Sequence, residues 1–115
     1  MIATIVRFKS ELTEERLLEV AESRAPEYRA IEGLIQKYYL RYPETGEYGA
    51  VYLWESEEAV KRFRESGLMR TIPATYRILG APEFLPADVL MPLRTDGERA
   101  QTSQTLAPEK VLEAL

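Results

Sequence analysis

The 115-residue sequence contains no cysteine and no histidine. Without cysteine there is no disulfide, no thiolate nucleophile and no thiolate metal site, which fits a reducing compartment and makes the cytoplasm the expected location. Without histidine the commonest general base near neutral pH is missing, along with the usual ligand of zinc, haem or non-haem iron. An excess of positive charge is lacking too: 15 Lys and Arg against 19 Asp and Glu leave a formal net charge of −4. Nucleic-acid binders gather Lys and Arg on one face, so nucleic acid is not an expected partner. There is no long apolar run, and the start, Met1-Ile2-Ala3-Thr4-Ile5-Val6-Arg7, has neither the basic leader nor the length of a signal peptide or membrane span. Gly46, Gly49 and Gly67 are dispersed and form no phosphate-cradling loop. No acidic cluster has metal-ligand spacing, so no metal is expected.

What remains is ordinary globular composition, 45% hydrophobic and 30% charged, sufficient for one domain with one core. Ile2 to Phe8 is rich in β-branched residues and short, which predicts a first strand. Thr13 offers a helix cap, Glu14 and Glu15 complement the dipole behind it, and Leu17, Val20 and Ala21 follow helical spacing up to Pro26, where the helix should stop. Gly33 opens a second extended run, Leu34 to Tyr42, answered by a third, Tyr48 to Trp54. Ser56, Glu57 and Glu58 start a second helix with Ala59, Val60 and Phe63 on its buried side and Gly67 as its end. An irregular stretch through Pro73 should lead to a fourth strand from Tyr76, continuing past Pro82 and Pro86 as an edge strand.

The order βαββαβ predicts an α+β, ferredoxin-like domain over residues 1–94, with a four-stranded antiparallel sheet and two helices on one face. Residues 95–104 read as a polar linker to a short terminal helix or tail ending at Leu115. Because the other sheet face lacks a strong polar pattern, a homodimer is expected.

The hairpin turn decides which side chains share a face. A three-residue loop, Glu44-Thr45-Gly46, pairs Tyr42 with Tyr48, Tyr38 with Tyr52 and Gln36 with Trp54. A two-residue turn at Thr45-Gly46 would pair Tyr39 with Tyr52 and Lys37 with Trp54 instead, and is the less favoured register.

Gly33-Leu34-Ile35-Gln36-Lys37-Tyr38-Tyr39-Leu40, Glu44 to Trp54, and Ser56-Glu57-Glu58-Ala59 resemble the YdhR-like mono-oxygenases. These belong to the dimeric α+β barrel superfamily with the antibiotic-biosynthesis mono-oxygenases. The resemblance runs from the first strand to Arg94. It implies oxygenation of small aromatic or quinol-like compounds by dioxygen with no metal or flavin, hence no cofactor. A tryptophan ending the third strand before Ser-Glu-x-Ala also occurs in IsdG-type haem-degrading mono-oxygenases, where the ring lines the pocket, and Trp54 matches it. Those enzymes place an axial histidine after the second helix, where this chain has Ile72-Pro73, so the haem reaction is disfavoured.

Trp54, Tyr38, Tyr52 and Gln36 are therefore the pocket candidates, with no catalytic residue assigned. Each has a structural counterpart: a core tryptophan, a cross-strand tyrosine pair, a solvated glutamine. Arg7 could hold an oxyanion if turned inward, but a strand arginine more often snorkels or pairs with an acid. The competing function is a non-catalytic dimeric module that binds a hydrophobic metabolite or has a structural role.

Overall fold

The structure, a computed structural model, describes residues 1–94; the predicted linker and terminal helix lie outside the described residues. The chain runs β1 (Ile2–Ser10), α1 (Glu14–Arg29), β2 (Leu34–Tyr42), β3 (Glu47–Trp54), α2 (Glu57–Arg64), α3 (Gly67–Thr75) and β4 (Ile78–Asp88). The strands form one antiparallel sheet in the order β2-β3-β1-β4, the α+β ferredoxin-like arrangement. No helix among the described residues is long and apolar enough to cross a membrane.

The helix starts follow from local chemistry. Thr13 and Ser56 accept hydrogen bonds from the backbone N–H groups of Arg16 and Ala59, and glutamates occupy the first turns of α1 and α2. The ends differ from the expectation. Helix α1 continues past Pro26 to Arg29, with Pro26 itself accepting a hydrogen bond from the Ala30 N–H. Pro26 cannot donate within the helix, but the extra turn brings Tyr28 into the core beside Tyr52 and Phe63.

Gly67 does not end the helical region. Ser66 caps a further helix, α3, which contains Pro73 and presents Leu68, Met69 and Ile72 to the core. Tyr76 is the C-terminal cap of α3 rather than the start of a strand. Arg77 then takes a left-handed φ of 47° to reverse the chain into β4. Strand β4 lies at the sheet edge, where Pro82 and Pro86 are tolerated.

The β2–β3 register departs from the predicted pairing by one residue. Tyr42 pairs with Glu47, Lys37 with Tyr52, Tyr38 with Val51 and Tyr39 with Ala50. The loop therefore has four residues, Pro43 to Gly46, because Pro43 has no N–H to give a ladder and its fixed φ suits the second position of a turn opening at Tyr42. The Thr45 and Gly46 N–H groups both donate to the Tyr42 carbonyl, and Gly46 takes a φ of 74°. Since side chains alternate, the one-residue difference transfers the residues of β2 from Gln36 to Tyr42 to the opposite face. The less favoured register had the correct face for Lys37 and Tyr39, though with different partners. A bulge at Ile35 brings Leu34 opposite Trp54. Gly33, at φ 86°, leads into β2 so close beneath α2 that a Cβ there would collide with the Ala59 Cβ.

The helices cover the face that carries Thr4, Ala50, Tyr52 and Trp54. Trp54 is only 1% exposed, stacks on Tyr52 with ring centroids 5.7 Å apart, and meets Phe63 at 5.2 Å. Its indole N–H donates to the Thr4 hydroxyl at 3.0 Å. Burying an N–H without a partner costs about 1–3 kcal/mol. Thr4→Val removes this acceptor at nearly constant volume and should lower the urea-unfolding free energy by about 1–3 kcal/mol with an unchanged m-value.

Candidate functional site

Between the sheet and the helices lies a cavity of about 200 Å³. Its floor is made by Thr4, Val6, Lys37, Tyr39, Ala50, Tyr52 and Trp54 of β1, β2 and β3. Tyr28 of α1, Phe63 of α2, Met69 and Ile72 of α3, and Phe84 of β4 complete the walls. The lining is chiefly aromatic and aliphatic with a few polar groups, the composition of a small-molecule site.

Two of the polar groups lack partners. The hydroxyls of Tyr28 and Tyr76 are buried and make no hydrogen bond, and the residues are only 5% and 4% exposed. They come near the hydroxyls of Tyr52 and Tyr39 closely enough for each to be felt electrostatically, without closing a bond of acceptable geometry. An unpaired buried hydroxyl carries a desolvation cost of about 1–3 kcal/mol, which a ligand oxygen in the cavity would relieve. Burial pushes the Tyr28 phenol up to about 12 and raises Tyr39, Tyr52 and Tyr76 as well. All four therefore remain neutral hydrogen-bond donors at physiological pH.

Lys37 supplies the charge. The residue as a whole is half-buried, but its amine sits 3.6 Å from the ring centre of Tyr28, 4.4 Å from that of Tyr39 and 4.8 Å from that of Tyr52. It joins none of the ion pairs found among the described residues. Desolvation lowers its pKa from 10.5 to about 7. The three ring faces return part of that cost to the ammonium form, so both protonation states are accessible near neutrality.

The pocket candidates separate by strand. Trp54 and Tyr52 line the cavity, and Trp54 serves as core anchor at the same time. Tyr38 is on the other face of the sheet and 46% exposed, and Gln36 is exposed with its side chain accepting from the Lys37 backbone N–H. Their β2 neighbours Lys37 and Tyr39 occupy the cavity in their place. Arg7 also faces away. It donates to Glu47 at 2.9 Å and lies over the Tyr42 ring, which holds its charge outside the cavity. Tyr28 and Tyr76 escaped the sequence reading because the first helix was expected to stop at Pro26, before Tyr28, and Tyr76 was assigned to a strand. An uncompensated lysine among tyrosines was the available signal for Lys37.

Sequence comparison finds no family model and no curated protein that matches the chain. Solved structures do match. The cofactor-independent oxygenase SnoaB from Streptomyces nogalater superposes with a TM-score of 0.65 at 14% identity, over 82% of this chain and 97% of SnoaB. A protein of unknown function from Nitrosomonas europaea gives 0.66 at 16% identity, over 84% and 95% of the two chains. An antibiotic biosynthesis monooxygenase gives 0.62 at 11% identity, over 79% of this chain and all 100% of its own. The chain shares their fold. Identities this low establish the fold and leave the chemistry to the residues of the cavity.

The Lys37 amine has a stability consequence. Between pH 7 and 10.5 the unfolded chain holds this proton more firmly than the folded one, so the residue's contribution to stability rises with pH. The penalty of burying the ammonium is complete below the folded value and vanishes above the unfolded one. Lys37→Met should therefore raise Tm by about 5 °C at pH 6, with the gain over wild type shrinking towards zero by pH 10.5. Thermal unfolding followed by circular dichroism across this range checks it, and a gain independent of pH would contradict it.

Proposed function

We propose that the protein is a cofactor-independent mono-oxygenase acting on small phenolic or quinol-like aromatics in the cavity between sheet and helices. The observation that carries the reading is an aromatic-walled cavity with two buried, unpaired tyrosine hydroxyls in its lining. A phenol deprotonated to an electron-rich anion can itself reduce dioxygen, so the protein need supply only a water-poor pocket, donors for the anion and a proton acceptor. In the net reaction a ring C–H and the phenolic O–H give up their hydrogens. One oxygen atom becomes a new carbonyl, the other leaves as water, and a quinone remains. The oxygenases of the same fold and the resemblance of Gly33–Leu40 and Glu44–Trp54 to YdhR-like mono-oxygenases support this reading.

The cavity limits the substrate. An apolar cavity of about 150 Å³ accepts one benzene ring, so about 200 Å³ suits one ring with substituents or a compact two-ring phenol. A three-ring anthrone would require the walls to move. A homodimer in the cytoplasm completes the proposal. The uncovered sheet face carries Ile5, Val51 and Leu53 with the exposed side chains of Tyr38 and Leu85, an apolar surface suited to a second copy.

Oxygen uptake by the metal-free protein with 1-naphthol and with anthrone tests the reading. Uptake above buffer with 1-naphthol, weaker with anthrone, is expected. Ala50→Leu, which extends a side chain into the cavity, should reduce uptake at least tenfold without lowering Tm. Binding of 1-naphthol without oxygen uptake would favour a non-catalytic binding module, for which the neutral tyrosine donors would equally serve.

A further inference from the structure

We propose that Lys37 is the proton acceptor of this cavity, its amine taking the proton of a bound phenolic hydroxyl and then holding the phenolate beside Tyr28. This rests on the cavity being a phenol site, as proposed above, and adds the residue that makes the anion.

The geometry carries it. Lys37 is the lysine that lines the cavity, and its amine lies within 5 Å of three ring centres contributed by α1, β2 and β3. A flat aromatic guest entering beside Tyr28 and Tyr52 meets this amine together with the unpaired Tyr28 hydroxyl. None of the titratable side chains packed around the amine exchanges a proton with it near neutral pH. Tyr28 on α1, Tyr39 on β2 and Tyr52 on β3 are all held neutral by burial. Arg29 of α1, which borders the neighbouring groove with Lys37, and Arg64 of α2, on the cavity wall, are permanent cations. No carboxylate forms an ion pair with Lys37 among the described residues. A neutral amine in this setting gains a counter-ion by accepting a proton, since the phenolate it creates replaces the missing carboxylate.

The step balances without a further reagent. The phenol O–H bond breaks, an N–H bond forms on Lys37, and a neutral pair becomes an ammonium–phenolate pair. The ammonium then gives this proton to the oxygen atom that leaves as water, which its lowered pKa favours and which returns the amine to its neutral form. The residue thus supplies the function for which the chain has no histidine.

The test uses 4-nitrophenol, a single-ring probe whose anion is yellow and whose neutral form is nearly colourless. At pH 7, where part of the amine is neutral and able to accept a proton, binding to the wild-type protein should deepen the yellow of the probe, whereas Lys37→Met should bind it as the colourless phenol. Colourless probe bound equally by both proteins would overturn the assignment of Lys37 and leave the phenol site standing. Absence of binding to the wild type would overturn the site as well. Turnover of 1-naphthol separates proton transfer from charge alone. Lys37→Met and Lys37→Arg should both lose at least about 100-fold in kcat/KM, because arginine keeps the cation but cannot accept a proton. Wild-type kcat/KM should fall as pH drops below about 7, as the amine charges. Activity retained in Lys37→Arg would show that the cation alone suffices and would overturn the base assignment.

Discussion

The hairpin between β2 and β3 determines what the cavity contains. Pro43 leaves the ladder one residue before a three-residue loop would require, so Tyr42 faces Glu47 and β2 from Gln36 onward is set by that pair. Lys37 and Tyr39 consequently share a face with Ala50, Tyr52 and Trp54, while Gln36 and Tyr38 share the other with Val51 and Leu53. With the opposite parity the inner face would be tyrosine and glutamine over the same core, and the amine would lie outside in water. A single backbone constraint thus separates a polar-lined binding slot from a cavity with a titratable base.

The remaining elements act on this arrangement in sequence. The bond from Trp54 to Thr4 ties β3 to β1 and fixes the indole as one wall. The extra turn of α1 beyond Pro26 delivers Tyr28 over the Lys37 amine, and α3 with its cap Tyr76 closes the far side. Each of these costs local regularity: a proline within a helix in α1 and again in α3, and a left-handed arginine after α3. Burial of Tyr28 and Tyr76 offsets these costs, yet leaves their hydroxyls unpaired at the cavity. A fold that tolerates two such orphans and an uncompensated lysine in one place concentrates its frustration where a ligand would relieve it.

Much of this was legible in the sequence and some was not, for physical reasons. The strand runs, the caps at Thr13 and Ser56, and the βαββαβ order follow from period and capping chemistry, which are local. Helix α3 was not legible because Gly67 and Pro73 read as breakers, and only packing of Leu68, Met69 and Ile72 against the core makes that stretch helical. Trp54 and Tyr52 were read from β3, whose face is dictated by the buried core. Tyr38 and Gln36 were placed on the wrong side because their face depends on a one-residue difference in turn length, to which periodicity is blind. The histidine-free composition pointed to missing base chemistry, but lysine becomes a base only when a fold desolvates it.

The most direct test of this account is the Lys37 ε-methylene resonance, followed by NMR with selectively labelled lysine over pH 5 to 11. Three nearby tyrosine rings should shift this resonance away from those of the exposed lysines, give it cross-peaks to Tyr28 and Tyr52, and make it titrate near 7. A Lys37 signal that coincides with the exposed lysines and titrates near 10.5 would place the amine in solvent and contradict both the register and the chemistry built upon it.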